Sequence, residues 1–139
     1  MPIRPDRRRH WLTALIALLA VLGIAGAILN EQVKEENDLN ARVTAMTGGN
    51  IEHGQQLFQS YGCGACHMLR RIPQARGQIG PPLDGIASRA IIAGKLSNSP
   101  DNLQRWIADP QAVSPGTAMP RLGVTAADAR DLTAFLYTR

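Results

Sequence analysis

Cys63-Gly64-Ala65-Cys66-His67 contains both cysteines of this 139-residue chain, with a histidine directly after the second one. The spacing C-x-x-C-H is typical of covalent haem c attachment, in which each thiol adds to one vinyl group of the porphyrin. The adjacent imidazole of His67 then lies under the ring with one nitrogen directed at the iron. The pentapeptide therefore predicts both the covalent anchor, Cys63 and Cys66, and the proximal ligand.

Two other kinds of site use paired cysteines. A C-x-x-C can be the redox dithiol of a thioredoxin-like βαβ unit, or half of a zinc site. Structural zinc needs four ligands, and the remaining histidines are His53 and His10, the latter beyond a long apolar segment. The region around the cysteines also lacks the alternating β-branched runs of strands. Haem attachment is favoured, and the two alternatives remain open at this point.

The methionines provide a candidate for the second axial ligand. Of the four, Met1 is the initiator, Met46 lies in a polar connection and Met68 adjoins the proximal ligand. Met119 remains, in Ser114-Pro115-Gly116-Thr117-Ala118-Met119-Pro120. The prolines and glycine exclude a helix there and predict a stiff extended loop, which holds a weak thioether ligand with little loss of entropy. The alternative is a methionine that fills a gap in the core.

The N-terminal third of the chain predicts a membrane segment. Residues 1–10 carry four arginines against one aspartate, a net charge of +3, and residues 11–29 contain no charged residue. Nineteen helical residues span about 28 Å, close to the hydrocarbon thickness of a bilayer. Arginines before the segment and Glu31 after it predict a cytoplasmic N-terminus at a bacterial inner membrane, with the following domain on the periplasmic side.

A cleaved signal peptide is the alternative to this anchor, because Ala25-Gly26-Ala27 fits the small-x-small cleavage rule. The apolar run is longer than a usual signal-peptide core, which favours an uncleaved anchor, and both alternatives give the same compartment. Residues 30–49 follow with two basic and four acidic residues and no apolar periodicity strong enough for a packed helix. We expect a polar linker there, part of which extends the membrane helix as a short stalk.

Residues 50–139 predict one small domain of helices and loops. Three helices are expected, over about residues 50–61, 99–108 and 125–138, with capping residues at Asn50, Ser99 and Thr125. The first and last helices carry apolar faces that should meet. A domain of this size is marginal on its own apolar core, so a buried haem would complete that core.

From about Gly48 to Arg139 the sequence resembles class I cytochromes c in the order of its motifs. Gly54 and Phe58 precede the haem motif, and Gly80-Pro81-Pro82-Leu83-Asp84-Gly85 resembles the family's Gly-Pro-x-Leu-x-Gly loop. The distal half matches from Asn102 through Met119 without a gap. The resemblance implies an all-α fold of about three to five helices around one covalent haem c, preceded here by a transmembrane helix.

The resemblance also implies roles for residues around the haem. The Pro81 carbonyl would accept a hydrogen bond from the second ring nitrogen of His67, which fixes the tautomer and strengthens the iron ligand. Arg89 and Thr117 resemble positions whose side chains bond the haem propionates, although Arg89 could equally be a solvated charge. Trp106 falls on the helix that faces the haem edge in the family, although core packing alone would explain it. The other pocket residues that the resemblance implies are Leu83, Arg89, Trp106 and Thr117.

Residues 96–111 narrow the resemblance to the cytochrome c domains fused to subunit II of some bacterial haem–copper oxidases, although this sequence shows no cupredoxin domain. The function implied is a membrane-tethered electron carrier rather than an enzyme. It would take single electrons from a quinol-oxidising complex or a dehydrogenase and pass them to a haem–copper oxidase of the respiratory chain. A permanent haem subunit of a larger membrane enzyme is one alternative. A peroxidatic haem protein, which needs an open distal site, is another.

Charge gives one indication about partners. Residues 50–139 contain nine basic and six acidic residues, a net charge of +3. Arg70, Arg71 and Arg76 follow the haem motif closely, so they indicate a docking surface for an acidic redox protein, with a solvated face as the alternative. Nucleic acid and small-molecule substrates are not expected.

Overall fold

The computed structural model describes residues 7–139, so the first six residues of the predicted basic tail lie outside the described residues. The chain divides into two compact units, one ending at Asp38 and one spanning Leu39–Arg139. The second unit contains the haem motif and all the predicted site residues.

Helix α1 runs without interruption over Arg7–Thr47. Among the described residues it is the one helix that is long and apolar enough to cross a membrane, judged by length and composition. The large apolar side chains of its segment 11–29 are exposed, with Trp11 79% and Ile16 66% accessible. The helix ends at Thr47, and Gly48 follows with a φ of +67°, the left-handed conformation that glycine favours after a helix.

The structure differs from the expected linker over residues 30–49, because these residues are helical through Thr47. Val43 and Thr47 are 2% and 5% exposed. Val43 packs in a small buried cluster with Ile51 and Ala134. The side-chain amide of Gln104 donates to the Thr47 carbonyl at 3.3 Å. The last two turns of α1 thus belong to the fold of the second unit. Two buried residues are too few to appear as sequence periodicity.

Helices α2 (Ile51–Ser60) and α5 (Ala126–Tyr137) form the centre of the domain. Phe58 and Phe135 pack with ring centroids 5.6 Å apart and planes inclined by 55°. The backbones approach closely at Gly54, where an added Cβ would lie 2.0 Å from the Asp131 carbonyl oxygen. α2 and α5 are the helices predicted over about residues 50–61 and 125–138. Their crossing confirms the contact expected from their apolar faces.

The remaining elements are short. Helix α3 covers Pro100–Ala108 and α4 covers Pro110–Val113. Strands β1 (Ile91–Ile92) and β2 (Leu96–Ser97) form an antiparallel pair with Ile91 opposite Ser97. Two 3₁₀ turns lie at Cys63–Ala65 and Ile86–Ser88. The all-α prediction is confirmed, and α4 is a helix that the sequence patterns did not predict.

The predicted capping residues are confirmed. The side chain of Asn50 accepts from the His53 N–H at 2.8 Å, and Ser99 accepts from the Asn102 N–H at 3.2 Å. Thr125 accepts from the Asp128 N–H at 3.1 Å. These local bonds satisfy amide groups that a helix N-terminus leaves unpaired, which is why they could be predicted from sequence.

Candidate haem-binding site

Cys63 begins the 3₁₀ turn that follows α2, and Cys66 comes directly after that turn. The His67 N–H donates to the Cys63 carbonyl at 2.9 Å, and the Cys66 N–H donates to the same carbonyl at 3.2 Å. Both thiols are free and half-buried. Burial raises the pKa of Cys63 to about 11, so this thiol is neutral near pH 7.

The imidazole of His67 is oriented by a backbone carbonyl. Its Nδ1 lies 2.8 Å from the Pro81 carbonyl oxygen. A carbonyl can only accept, so Nδ1 carries a proton, and in the neutral ring the lone pair lies on Nε2. The hydrogen bond predicted from the resemblance is therefore present. It leaves one ring nitrogen available to a metal.

Two glycines let the following loop fold back over the haem motif. A Cβ on Gly80 would lie 2.3 Å from Cε1 of His67, and one on Gly77 would lie 2.3 Å from the Ala65 carbonyl oxygen. The Gly80 N–H donates to the Cys66 carbonyl at 2.8 Å, which fixes the loop at that distance. Gly77 was missed at the sequence level, because its requirement comes from a tertiary approach.

Three of the residues predicted to surround the haem contact one apolar cluster. Leu83 is buried, and Cys63 and Trp106 pack against the same cluster. Arg89 is half-buried and its Nη2 donates to the Pro82 carbonyl and, at 3.3 Å, to the Asp84 carbonyl. The Arg89 side chain therefore braces the loop that carries the Pro81 carbonyl.

Asp84 fixes the start of the basic segment. Its carboxylate accepts from the Arg70 N–H at 3.1 Å and from Arg70 Nε at 3.2 Å. Burial acts to raise the pKa of Asp84, but these hydrogen bonds and the arginine charge outweigh it and lower the pKa below 3.8. Arg71 follows in the left-handed region, at φ +68°, and is exposed, as is Arg76.

The predicted distal loop is not extended at its start, because residues 114–117 form a β-turn. The Thr117 N–H donates to the Ser114 carbonyl at 3.1 Å, with Pro115 second in the turn and Gly116 third at φ +82°. Proline and glycine at these positions define a type II turn. Thr117 and Met119 are half-buried.

Three side chains around this loop were missed at the sequence level. Arg121 donates through Nε to Asp109 at 3.0 Å and also through Nη2. Gln111 donates through Nε2 to the carbonyls of Thr117 and Met119, at 2.9 Å each. These contacts join residues six to twelve positions apart without a periodic pattern, so a single sequence does not reveal them.

The described residues support neither a zinc site nor a thioredoxin-like dithiol at the cysteines. Within residues 7–139, no three His, Cys, Asp or Glu side chains gather as metal ligands. The described strands are the two-residue pair β1–β2, which is not a βαβ unit. Haem attachment is the interpretation that the neighbouring residues support, because His67 is oriented by the Pro81 carbonyl.

The family model described as Cytochrome c matches residues 51–139. The chain belongs to the cytochrome c family. The resemblance seen in the sequence is thereby confirmed, and the domain is an electron-transfer module that carries covalently bound haem c. Its cysteines are Cys63 and Cys66.

Three relatives indicate where this cytochrome c domain occurs. The chain is 34% identical over 82 residues to a cytochrome c oxidase subunit 2 of Alkalihalophilus pseudofirmus, covering 59% of this chain and 23% of that protein. It is 35% identical over 77 residues to a diheme cytochrome c-type protein of Cereibacter sphaeroides, covering 55% and 24%. It is 29% identical over 72 residues to a cytochrome c oxidase subunit 2 of Bacillus subtilis, covering 49% and 20%.

The chain thus spans less than a quarter of the length of these relatives. No solved structure matches it.

The residues of this cytochrome c domain fit the cofactor of the family. Two free cysteines precede, in the C-x-x-C-H motif, an imidazole whose Nδ1 donates to the Pro81 carbonyl. Space above Gly80 is reserved for that ring, since a Cβ there would overlap it. The apolar cluster that Cys63 and Trp106 contact provides a water-poor wall.

Proposed function

We propose that this protein is a membrane-tethered electron carrier, with haem c attached to Cys63 and Cys66 and the iron ligated by His67 and Met119. The observation that supports it most strongly is the 2.8 Å hydrogen bond from His67 Nδ1 to the Pro81 carbonyl, next to two free cysteines. Bound haem c supplies a one-electron ferrous–ferric couple. The residues around it determine which partners can use that couple.

The proximal residues hold one ligand in a single orientation. The Pro81 carbonyl keeps the proton on Nδ1 of His67 and makes Nε2 a stronger donor. Arg89 binds the carbonyls of Pro82 and Asp84, which restrains the loop on either side of Leu83. A restrained ligand changes position little between oxidation states, which suits rapid electron transfer.

The distal loop supplies the second ligand. A thioether from Met119 raises the reduction potential of a c-type haem. Pro115 and Gly116 fit the type II turn at residues 114–117 without strain. Because the proline already restricts the unfolded chain, little conformational entropy is lost when the loop presents the ligand. Two protein ligands leave no open coordination position, which favours electron transfer over peroxidatic chemistry.

The remaining predicted pocket residues complete the environment. Leu83 and Trp106 would exclude water from the haem faces, and Thr117 would hydrogen-bond a propionate. Arg89 can contact the other propionate while bracing its loop, because a guanidinium has five N–H donors and the two carbonyls use only part of them.

Helix α1 would provide the membrane tether. We propose that residues 11–29 span a bacterial inner membrane, with residues 1–10 in the cytoplasm and residues 50–139 on the periplasmic side. The apolar exposed segment of α1 supports this arrangement. N-terminal sequencing of the membrane fraction distinguishes an anchor from a signal peptide cleaved after Ala27.

The partners we propose are a quinol-oxidising complex or dehydrogenase as donor and a haem–copper oxidase as acceptor. Two of the relatives are cytochrome c oxidase subunits 2, which supports the acceptor. The arginine loop, defined as Arg70, Arg71 and Arg76, is exposed close to the haem motif. Its positive charge would steer an acidic partner and make association depend on salt.

The experiment is to mix the purified, reduced membrane form with a haem–copper oxidase and follow haem oxidation at several salt concentrations. We expect oxidation that slows with salt, and that slows about 3- to 10-fold in an Arg71→Gln/Arg76→Gln variant at low salt. Arg130→Gln, which removes an exposed charge on α5, is the matched control. An absence of oxidation would contradict the proposed acceptor.

The same preparation tests the alternative of a permanent haem subunit. A free carrier should separate from any oxidase in mild detergent at moderate salt, because a charge-steered contact is screened. Co-purification that survives high salt would instead favour the subunit.

A further inference from the structure

We propose that Gln111 is a positioning residue for the distal ligand, because its side-chain amide ties together the loop that presents Met119. The inference rests on the proposed assignment of Met119 as an iron ligand. The loop braced by Gln111 would keep competing ligands away from the iron, which the Pro-Gly turn alone would not do.

The three hydrogen bonds of Gln111 span the whole loop. Nε2 donates to the carbonyl oxygens of Thr117 and Met119, each at 2.9 Å, and Oε1 accepts from the Gly116 N–H at 3.1 Å. Both N–H donors of the amide are therefore used. One side chain contacts the third position of the turn, its last residue and the backbone of the proposed ligand.

Helix α4 carries Gln111 and is itself fixed to the far end of the loop. Its N-cap, Asp109, accepts from the Ala112 N–H at 3.1 Å. The Asp109 carboxylate also accepts from Nε and Nη2 of Arg121, which lies two residues beyond Met119. The Ser114 N–H donates to the Pro110 carbonyl at 2.9 Å at the near end. The loop is thus closed at both ends, and Gln111 crosses its interior.

This bracing matters because a neutral thioether is a weak ligand that competes with others. An external ligand binds the iron only in molecules whose loop has opened, so its apparent affinity is reduced by the small fraction that is open. Each hydrogen bond of Gln111 lowers that fraction. Loss of all three should increase the apparent affinity about 5- to 50-fold.

The test is an imidazole titration of the oxidised, haem-loaded full-length protein, followed by absorption. Gln111→Ala should bind imidazole about 5- to 50-fold more tightly than wild type. The matched control is Gln104→Ala, another half-buried glutamine whose Nε2 donates to a backbone carbonyl, that of Thr47 at 3.3 Å. Its imidazole affinity should stay within about 2-fold of wild type.

A second variant keeps the test valid if Gln111→Ala loses its haem. Gln111→Glu keeps the oxygen that accepts from Gly116 but removes both donors, so its imidazole affinity should lie between wild type and Met119→Ala. Met119→Ala removes the competing ligand and sets the upper limit of the affinity. Reduction potentials of the same variants give a readout that domain stability alone does not move.

The outcomes separate the two claims. Tighter imidazole binding in Met119→Ala and in both Gln111 variants, with the Gln104 control unchanged, supports the inference. Tighter binding in Met119→Ala alone, or equal changes at Gln111 and Gln104, overturns the positioning role and leaves the ligand assignment intact. Unchanged binding in Met119→Ala overturns the ligand assignment, and the positioning role with it.

Discussion

Nδ1 of His67 and the carbonyl oxygen of Pro81 lie 2.8 Å apart, joined by a hydrogen bond that depends on the absence of a side chain at the neighbouring glycine. At Gly80 a Cβ would lie 2.3 Å from Cε1 and 2.5 Å from Nδ1 of the same imidazole. The orientation of the ring is therefore determined by backbone, in a loop whose sequence admits no larger residue at this position.

Gly80→Ala should displace the His67 ring and weaken its bond to the Pro81 carbonyl. We expect the unfolding free energy to fall by about 1–3 kcal/mol through overpacking. The reduction potential should rise, because a less basic imidazole stabilises ferric iron less well. The control is Gly94→Asn, at a glycine with φ +66° and no atom within 4 Å, since asparagine tolerates that conformation. Equal potentials in the two variants would contradict this reasoning.

Val43→Ala tests whether the end of α1 is part of the haem domain. The side chain is 2% exposed and packs with Ile51 and Ala134, so its truncation should lower the unfolding free energy by about 2 kcal/mol. Met46→Ala, on the same helix but at a position 54% exposed, should change it by less than about 0.5 kcal/mol. Denaturant unfolding followed by circular dichroism measures both. Equal effects would contradict the packing of residues 39–47 against the domain and indicate a linker instead.

Thr133→Val should stabilise the domain. Thr133 is fully buried on α5 and its Oγ1 finds no hydrogen-bond partner within residues 7–139. Replacing an unpaired buried hydroxyl by a methyl group removes a desolvation cost of about 1 kcal/mol. The matched control is Thr47→Val, because the Thr47 hydroxyl donates to the Val43 carbonyl at 2.8 Å and accepts from the Gly49 N–H at 3.2 Å.

Thr47→Val should therefore destabilise the domain by about 1–2 kcal/mol. The sign of the difference between the two variants, measured as the shift in melting temperature, is the decisive quantity. Destabilisation by Thr133→Val would indicate that its hydroxyl is hydrogen-bonded in solution.

Tyr61→Phe should alter the pH dependence of stability at both ends of the scale. Tyr61 donates to an Asp128 carboxylate oxygen at 2.7 Å, joining the end of α2 to the start of α5. That hydrogen bond is the main cause that lowers the pKa of Asp128 below 3.8, and the same bond, followed by burial, raises the pKa of Tyr61 above 10.0.

The two shifts act in opposite directions of pH. The lowered pKa of Asp128 contributes stability above pH 3.8 that is lost as pH falls through the folded-state pKa. The raised pKa of Tyr61 contributes stability below pH 10.0 that is lost as pH rises through its folded-state value. The stability difference between wild type and Tyr61→Phe should be largest between these limits and shrink beyond them.

Tyr137→Phe is the control for this pair. The Tyr137 hydroxyl donates to the Asn98 amide oxygen at 2.8 Å, and an amide does not titrate. Its effect on stability should therefore stay constant on the acid side. Denaturant unfolding at acidic, neutral and alkaline pH measures both variants, and a constant Tyr61→Phe effect in acid would contradict the assigned coupling.

The elements that were predicted from the sequence are those determined locally. Asn50, Ser99 and Thr125 cap helices within one turn of themselves, and the Pro-Gly pair specifies the distal turn without help from the rest of the fold. The Pro81 hydrogen bond came from the family resemblance, not from periodicity. Met119 as the iron ligand stays a prediction.

The features that were missed depend on tertiary contacts. In the last two turns of α1 only Val43 and Thr47 are buried, because α5 and α3 contact the helix at these two residues. Gln111 belongs to a four-residue helix and contacts a loop that lies five to eight residues later. Neither pattern has a period that a window of sequence could display.

Carbon monoxide binding to the reduced, full-length protein is the most direct test of the proposed ligation by His67 and Met119. Wild type should not bind carbon monoxide, because both residues would occupy the iron, whereas Met119→Ala should bind it readily. Absorption spectra recorded before and after addition of the gas provide the measurement. Binding by wild type, or a Met119→Ala variant that keeps its low-spin spectrum and excludes the gas, would contradict the proposed ligation.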